Sequence, residues 1–460
     1  MSKNGWSEVI LEDITTKLGD GLHGTPKYKE DGDYHFINGN NLVNGHIIFN
    51  NKTKRVDNLQ FHKYKKNLTD RTILVSINGT IGNVAFYNNE KVVLGKSACY
   101  FNLNDEIDKG FVRYILQSRI FQSYIESFST GTTIMNVSLK TMREFAFKLP
   151  ALQTQKAIAK ILGDLDAKIE INRKMNENLE AMAQALFQSW FVDFDPVLDN
   201  FLAKNDNNVE ALPEPLRKNG AIRLEISKKN TPEINKLFPN NFVFNEVLEK
   251  WIPEGWSDGK FGDIGEIITG KTPSAKNGHE FGNDFLFVTP TDFKNYHYLV
   301  INSIRKISKE GYNSNKNRIL PKDSILVTCI GSDMGKVVIA KDECLTNQQI
   351  NSIIPNNLLN TCYLYLHLKS IYHELRTLAF GGSTMPILNK TDFTNIKILI
   401  PGGAVNDCSK SRLNTFFDKI EINEKQSQNL TKLRDTLLPQ LISGKLEVPE
   451  AILEIEKEIN

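Results

Sequence analysis

Gly265-Glu266-Ile267-Ile268-Thr269-Gly270-Lys271-Thr272 has the spacing of a phosphate-cradling loop, GxxxxGK followed by Ser or Thr. Such a loop works when an apolar strand delivers it and a helix begins at the Lys-Thr, so that backbone N–H groups converge on phosphate oxygens. Neither neighbour fits here. Pro273 follows at once, Ser274 to Gly278 make a poor helix, and Ser257-Asp258-Gly259-Lys260 upstream is no buried strand. Other reaction centres leave no trace in the sequence. There is no Asn/Asp-Pro-Pro-aromatic tetrapeptide of an amino-methyltransferase pocket and no Pro-Asp pair to open a PD-(D/E)xK nuclease site. The eight histidines form no HxH or HExxH, so no metal centre is expected, and His23, His46 and His62 stand isolated. The five cysteines (Cys99, Cys329, Cys344, Cys362, Cys408) are scattered and never paired as CxxC, which argues against a zinc site or disulfide scaffold and suits a reducing cytoplasm. No Ser or Cys sits in a nucleophile pattern.

What remains is a repeated set of polar loops. His23, Thr25, Lys27 and Tyr28 occupy one loop; Lys271, Thr272, Ser274 and Lys276 occupy its counterpart. Asn38 and Asn40 answer to Thr289 and Thr291, and Thr132-Thr133 to Ser383-Thr384. Hydroxyls, amides and cations on restrained backbone suit contacts to phosphates and base edges. Ordinary turn chemistry accounts equally well for any single one of them. The pairing across two halves of the chain is what favours a function.

The elements that must hold these loops are themselves duplicated. From Pro150 to Pro196 the chain has no internal proline and one glycine, Gly163. Leu162, Leu165, Ile169, Leu179, Met182, Leu186 and Trp190 fall three or four apart, the stripe of a long helix. Adding 251 to each position gives Leu413, Phe416, Ile420, Leu430, Leu433, Leu437 and Leu441, all apolar. Lys168-Ile169-Glu170-Ile171-Asn172 recurs letter for letter as Lys419-Ile420-Glu421-Ile422-Asn423. The two helices are expected to pack as an antiparallel coiled coil through Leu162, Leu165, Ile169, Leu179, Met182 and Leu186 with Leu413, Phe416, Ile420, Leu430, Leu433 and Leu437. Asn172 and Asn423 are candidate register markers. The globular parts repeat too: Gly5-Trp6 returns as Gly255-Trp256, and Ile73-Leu74-Val75-Ser76 as Ile325-Leu326-Val327-Thr328, with offsets between 247 and 253.

The fold expected is therefore α+β, with two duplicated β-rich domains separated by two long helices. Its parts are a domain over 1–150, a helix over 151–195, a linker over 196–250 with a short ordered piece near Phe242 to Trp251, a second domain over 251–401, a second helix over 402–447 and a charged tail over 448–460. At 460 residues several domains are the prior. The opening MSKNGWSEVILEDI has no secretory h-region and no apolar run reaches membrane-spanning length, so a cytoplasmic protein without membrane contact is expected. Net charge is only +2, but 1–150 holds 19 Lys+Arg against 15 Asp+Glu and 251–401 holds 16 against 14, while both helices are net negative. Positive charge sits in the globular parts, where a nucleic-acid partner would be gripped.

The combination resembles the specificity subunit of Type I restriction–modification enzymes. The residues that carry it are Ile252-Pro253-Glu254-Gly255-Trp256 entering a domain, the Gly-His/Thr-Pro loop at 21–26, and Leu149-Pro150 followed by Gln155 to Leu162. Gln184 to Phe194 and the closing Leu441 to Leu446 match as well. Gly402 to Asp407 departs from the family's Pro-rich, Glu-Gln helix start, so the second helix is expected to begin later, near Ser409. The resemblance implies two target-recognition domains, each reading one half of a split site on double-stranded DNA. It implies helices that space the domains and dock two methyltransferase subunits, with restriction/translocase subunits joining them. It also implies a non-catalytic chain, with S-adenosylmethionine, ATP and Mg2+ held by the partners. A nucleotide-hydrolysing enzyme using Gly265–Thr272 is the alternative, and a protein-only adaptor a third reading.

Overall fold

The computed structural model describes residues 5–43, 45–130, 135–226, 233–273, 279–294, 298–331, 333–379 and 387–452. They form two compact units, one of 1–171 with 426–460, the other of 172–425. The division falls inside both long helices, so each unit holds one globular part and a half of each helix.

In the first unit an antiparallel sheet runs in the order Thr15–Asp20, Ala98–Leu103, Thr72–Ser76, Val84–Phe86. Every residue of the two central strands is buried, which explains their continuous β-rich runs. Phe111, Tyr114, Ile115, Phe121 and Ile125 close one face, sharing a core with Ile73, Val75, Cys99 and Phe101. They come from two helices, Lys109–Gln117 and Arg119–Ser127, that break at Ser118. A second sheet sets Tyr34–Ile37 between antiparallel Arg55–Val56 and parallel Val92–Leu94. Ser7–Ile10 pairs with Ala146–Leu149, bringing the domain's first and last strands together.

The second unit repeats this plan. Gly265–Thr269, Ile350–Pro355, Ile325–Thr328, Val337–Ala340 and Leu299–Val300 make the larger sheet, and Phe281–Gly282, Arg305–Ile307, Phe285–Val288 and Cys344–Thr346 the smaller. The duplication extends to register. Tyr34 faces Val56 across the first small sheet, and Phe285 faces Ile307 across the second, each residue 251 beyond its counterpart.

The first long helix spans Leu152–Phe187 and continues as a π-turn over Gln188–Val192; the second spans Gly403–Ser443. The second therefore starts six residues before Ser409. Buried Val405 and the Asn406 Nδ2 donation to Leu358 O (2.9 Å) fix the added turn, so tertiary contacts override the weak propensity of Gly402-Gly403. In the first unit Ile158, Leu162 and Leu165 share a core with Leu430, Leu437 and Leu441, and half-buried Ile169 and Leu433 pack against it. Asp166 meets Arg434 there, while Gln153 to Ile158 line one cleft with Gly444 to Pro449, so the chains run antiparallel. In the second unit Ala183 and Phe187 join Leu413, Phe417 and Ile420, with Leu179, Leu186 and Phe416 at the margin. Asn423 Nδ2 donates to Asn176 Oδ1 (2.8 Å) and Asn172 Nδ2 to Asn423 O (3.4 Å), a polar layer of the kind that fixes register.

Met182 is a correction: it is 54% exposed. Buried positions of the helix Leu152–Phe187 run 155, 158, 162, 165, 172, 176, 180, 183 and 187, a spacing near 3.5 in which Ala183 takes the seam and Met182 points out. Residues 196–250 hold more structure than the ordered piece expected near Phe242 to Trp251. Helices Asp195–Lys204 and Glu214–Ile226 and the hairpin of Phe242–Asn245 with Lys250–Pro253 fold onto the second unit. Val197, Leu198, Phe201, Leu202, Leu212, Phe238 and Phe242 enter its core. Arg223 clasps buried Asp199 with two hydrogen bonds (2.9 and 2.5 Å) and pins the two helices.

Candidate nucleic-acid interface

Each polar loop leaves its sheet where only glycine fits. A Cβ on Gly21 would lie 2.3 Å from Gly95 O, and one on Gly270 2.2 Å from Asn347 O. Beyond Gly21, His23 and Thr25 are exposed, and His23 Nε2 meets Asp20 Oδ2 at 2.5 Å. Lys27 is tied through its backbone N–H to Gln60 Oε1 (3.0 Å), and Tyr28 sets its half-exposed ring edge-on to Phe36. Beyond Gly270, Lys271 projects outward while its N–H donates to Thr346 O (2.9 Å), and Thr272 Oγ1 bonds Gln348 Oε1 (2.7 Å).

Asn38 and Thr289 hold turns. Asn38 Oδ1 accepts from Ser97 Oγ (2.9 Å), and the Asn38 N–H donates to buried Asn41 Oδ1 (3.0 Å). Thr289 gives both its N–H and its hydroxyl to buried Asp292 Oδ2 (2.8 and 2.9 Å). Their neighbours Asn40 and Thr291 face outward. Thr132, Thr133, Ser274, Lys276, Ser383 and Thr384 lie outside the described residues.

The phosphate-loop pattern has the wrong backbone. Gly265–Thr269 is a strand whose register with Pro355–Asn351 runs through all five residues. As an extended edge strand it points successive N–H groups to opposite sides, so they cannot converge on a phosphate as those of a loop entering a helix do. Among the described residues no group of three His, Cys, Asp or Glu side chains could hold a metal ion. Four of the five cysteines are buried, and burial pushes the Cys329 thiol up to about 12, so it stays protonated. No described helix is long and apolar enough to cross a membrane.

A feature absent from the polar loops is a cationic strand within each small sheet. Lys54-Arg55-Val56 and Arg305-Lys306-Ile307 are 251 apart, and Arg55 faces His35 as Lys306 faces Leu286. Each strand leads through a side-chain cap into a short helix: Asp57 accepts from Gln60 N, and Ser308 from Gly311 N. Each helix stacks one aromatic ring on the sheet, Phe61 on Tyr34 (3.9 Å) and Tyr312 on Phe285 (4.2 Å). Open clefts of about 740 and 460 Å³ lie along the two strands. The first is bordered by Lys29, Lys52, Lys54 and Arg55 against a single acid, Glu30; the second by Arg305 and Lys306 with no acid. Tyr28 borders the first cleft, so one loop residue chosen from sequence meets this basic face. Burial, and then the Arg55 charge, lower the pKa of His35, which stacks on Phe49 at 3.9 Å as a neutral ring. The signal available in sequence was the Lys-Arg and Arg-Lys pairs recurring at the spacing of the helices.

A profile described as the Type I restriction modification DNA specificity domain matches residues 3–181 and again 253–432. The Type I restriction enzyme HindI specificity subunit of Haemophilus influenzae is 33% identical over 335 residues, covering 69% of this chain and 72% of the relative. The MjaIX specificity subunit of Methanocaldococcus jannaschii is 26% identical over 467 residues, covering 97% and 94%. In fold, the chain is similar to the crystal structure of a Type I restriction-modification system S subunit from M. genitalium, with a TM-score of 0.56 at 19% identity over 96% of this chain and 97% of that one.

Proposed function

The chain belongs to the Type I restriction modification DNA specificity family, and from that premise we propose that it recognises a bipartite sequence in double-stranded DNA. Each of its two duplicated domains reads one half. The observation that carries this reading is the double match, one copy per domain, on domains that repeat each other down to strand register. Two similar readers on one chain suit a target with two separately specified halves, much as paired DNA-binding modules suit paired half-sites.

In this reading the long helices dock two methyltransferase subunits and space the half-sites, and restriction/translocase subunits complete the assembly. Ile171, Met175, Met182 and Ile422 leave apolar surface on helices whose seams are already filled, which suits a protein partner. The chain itself is non-catalytic. S-adenosylmethionine, ATP and Mg2+ belong to the partner subunits, and the complex works in the cytoplasm.

Mapping methylated adenines in host DNA with and without the gene tests the reading. A split motif that is methylated only when the chain is present is the expected result. Identical methylomes would overturn it.

A further inference from the structure

The two cationic strands carry more than their match in position. Lys52, Lys54, Arg55, Arg305 and Lys306 take part in no ion pair among the described residues, whereas Arg71, Arg113, Arg143, Arg217, Arg223 and Arg434 each lie within 4.0 Å of a carboxylate. Cations left unneutralised beside an open polar cleft, in the same place in both copies, await an anion supplied from outside.

Their setting favours phosphate. The Arg305 guanidinium lies 4.3 Å from the Phe281 ring and 5.3 Å from Phe287, so its plane is held by stacking while its N–H edge stays available. In the first domain His35 and Phe49 form the flat wall beside Lys52, Lys54 and Arg55, and burial keeps that histidine from adding a charge of its own. The strands place these cations, and of the polar-loop residues Tyr28 borders their cleft.

We infer that the strand pairs Lys54-Arg55 and Arg305-Lys306 grip DNA backbone phosphates, one grip per domain, and supply sequence-independent affinity separate from base reading. The inference rests on the DNA-recognition reading above and assigns within it which residues hold the duplex regardless of sequence. Each released counterion contributes a slope of about −0.9 to log K against log salt, so two cations contribute about −1.8, or roughly 30-fold in affinity at 0.15 M salt.

The test uses the full chain assembled with its methyltransferase subunits. Anisotropy titrations would compare a duplex carrying the methylated motif with a scrambled duplex of equal length, over 50 to 300 mM KCl (screening lengths of about 14 to 6 Å). Lys54→Gln with Arg55→Gln should weaken both duplexes by the same factor, roughly 30-fold, and reduce the salt slope by about 2. Arg305→Gln with Lys306→Gln should do likewise. The exchange Lys54→Arg with Arg55→Lys keeps the charge and should restore wild-type binding, and thermal melts would show that each variant is folded. The methylated motif should be unchanged in all three. Unaltered affinity and slope in both neutralised variants would overturn the inference while leaving the recognition reading intact. A changed motif, or a loss confined to the motif duplex, would show that these residues read bases instead. If the wild-type complex methylates no split motif, the underlying reading fails.

Discussion

Tyr114 and Tyr365 lie 251 residues apart, and each presses its domain against the long helices, yet their hydroxyls meet different chemistry. In the first unit Tyr114 donates to Asp166 Oδ2 (2.7 Å), whose other oxygen accepts from Arg434 (2.8 Å), with Arg113 3.4 Å away. In the second unit the counterpart of Asp166 is Phe417, edge-on to Tyr365 at 5.3 Å, and the counterpart of Arg434 is Ala183. Tyr365 donates instead to Glu180 Oε1 (2.8 Å), beside Lys369. Burial, then the neighbouring carboxylate, raises the pKa of both phenols, so both remain donors. The duplication kept the tyrosine and the need to satisfy its hydroxyl, while the acceptor moved from the helix that follows the domain to the other helix. One junction is held by a charged triad, the other by packing with a charge at its margin.

The contrast is easiest to break on the packed side. Phe417→Ala removes a fully buried ring and should cost about 3–5 kcal/mol. Trp190, Trp251 and Trp256 all lie in the second unit, so urea unfolding followed by tryptophan fluorescence should shift strongly. A midpoint unchanged from wild type would mean that Phe417 does not hold this junction.

A smaller effect distinguishes the units by pH. His367, the counterpart of Leu116, is enclosed by Phe187, Phe261 and Tyr363, its Nε2 buried without a partner. Burial, and then the Lys250 charge, lower its pKa to about 4. The folded chain keeps the ring neutral while the unfolded chain takes up a proton below about 6.5, so the stabilisation is complete above that pH and is lost as pH falls toward 4. By pH 4 the loss amounts to about 3 kcal/mol. The second unit should weaken across this window by urea titration, and His367→Leu should flatten the slope. An equal slope in that variant would place the pH dependence elsewhere.

The charged junction should yield least to a shape-preserving change. Asp166→Asn keeps the volume and weakens two charge-assisted hydrogen bonds at a partly buried site, for about 1–2 kcal/mol. Asp166→Phe with Arg434→Ala imports only the other unit's packing: with Thr431 in the place of Glu180, the buried Tyr114 hydroxyl loses its acceptor, so this variant should cost about 1–3 kcal/mol more than Asp166→Asn. Hydrogen exchange in 109–127 and 426–443 checks both. A double variant as stable as Asp166→Asn would show that the Tyr114 hydroxyl needs no acceptor at this junction.

Much of this architecture was legible in the sequence because long helices repeat without gaps. A period near 3.5 carried over forty residues leaves its mark on every turn, and the offset of 251 exposed the duplication. Met182 was misplaced because a stripe read at three-or-four spacing cannot choose between adjacent residues when the true seam residue is a small Ala183. The segment 196–250 hid its fold because its apolar residues are diluted by Asn, Pro and Lys, and Arg223 with Asp199 looks like surface until the pair is seen buried. Of the loop residues, Asn38 and Thr289 proved to hold turns, a role that depends on buried Asn41 and Asp292, three residues on. Lys54-Arg55 and Arg305-Lys306 escaped notice because a basic pair on a short strand resembles any solvated surface until its register is known.

The account rests on two domains that read DNA independently from one chain. Replacing residues 1–149 with the corresponding domain of a relative, and sequencing the methylome of cells carrying the chimera, tests this most directly. A methylated motif in which one half changes while the other half and the spacer length stay as they were is the predicted result. A motif altered in both halves would contradict it.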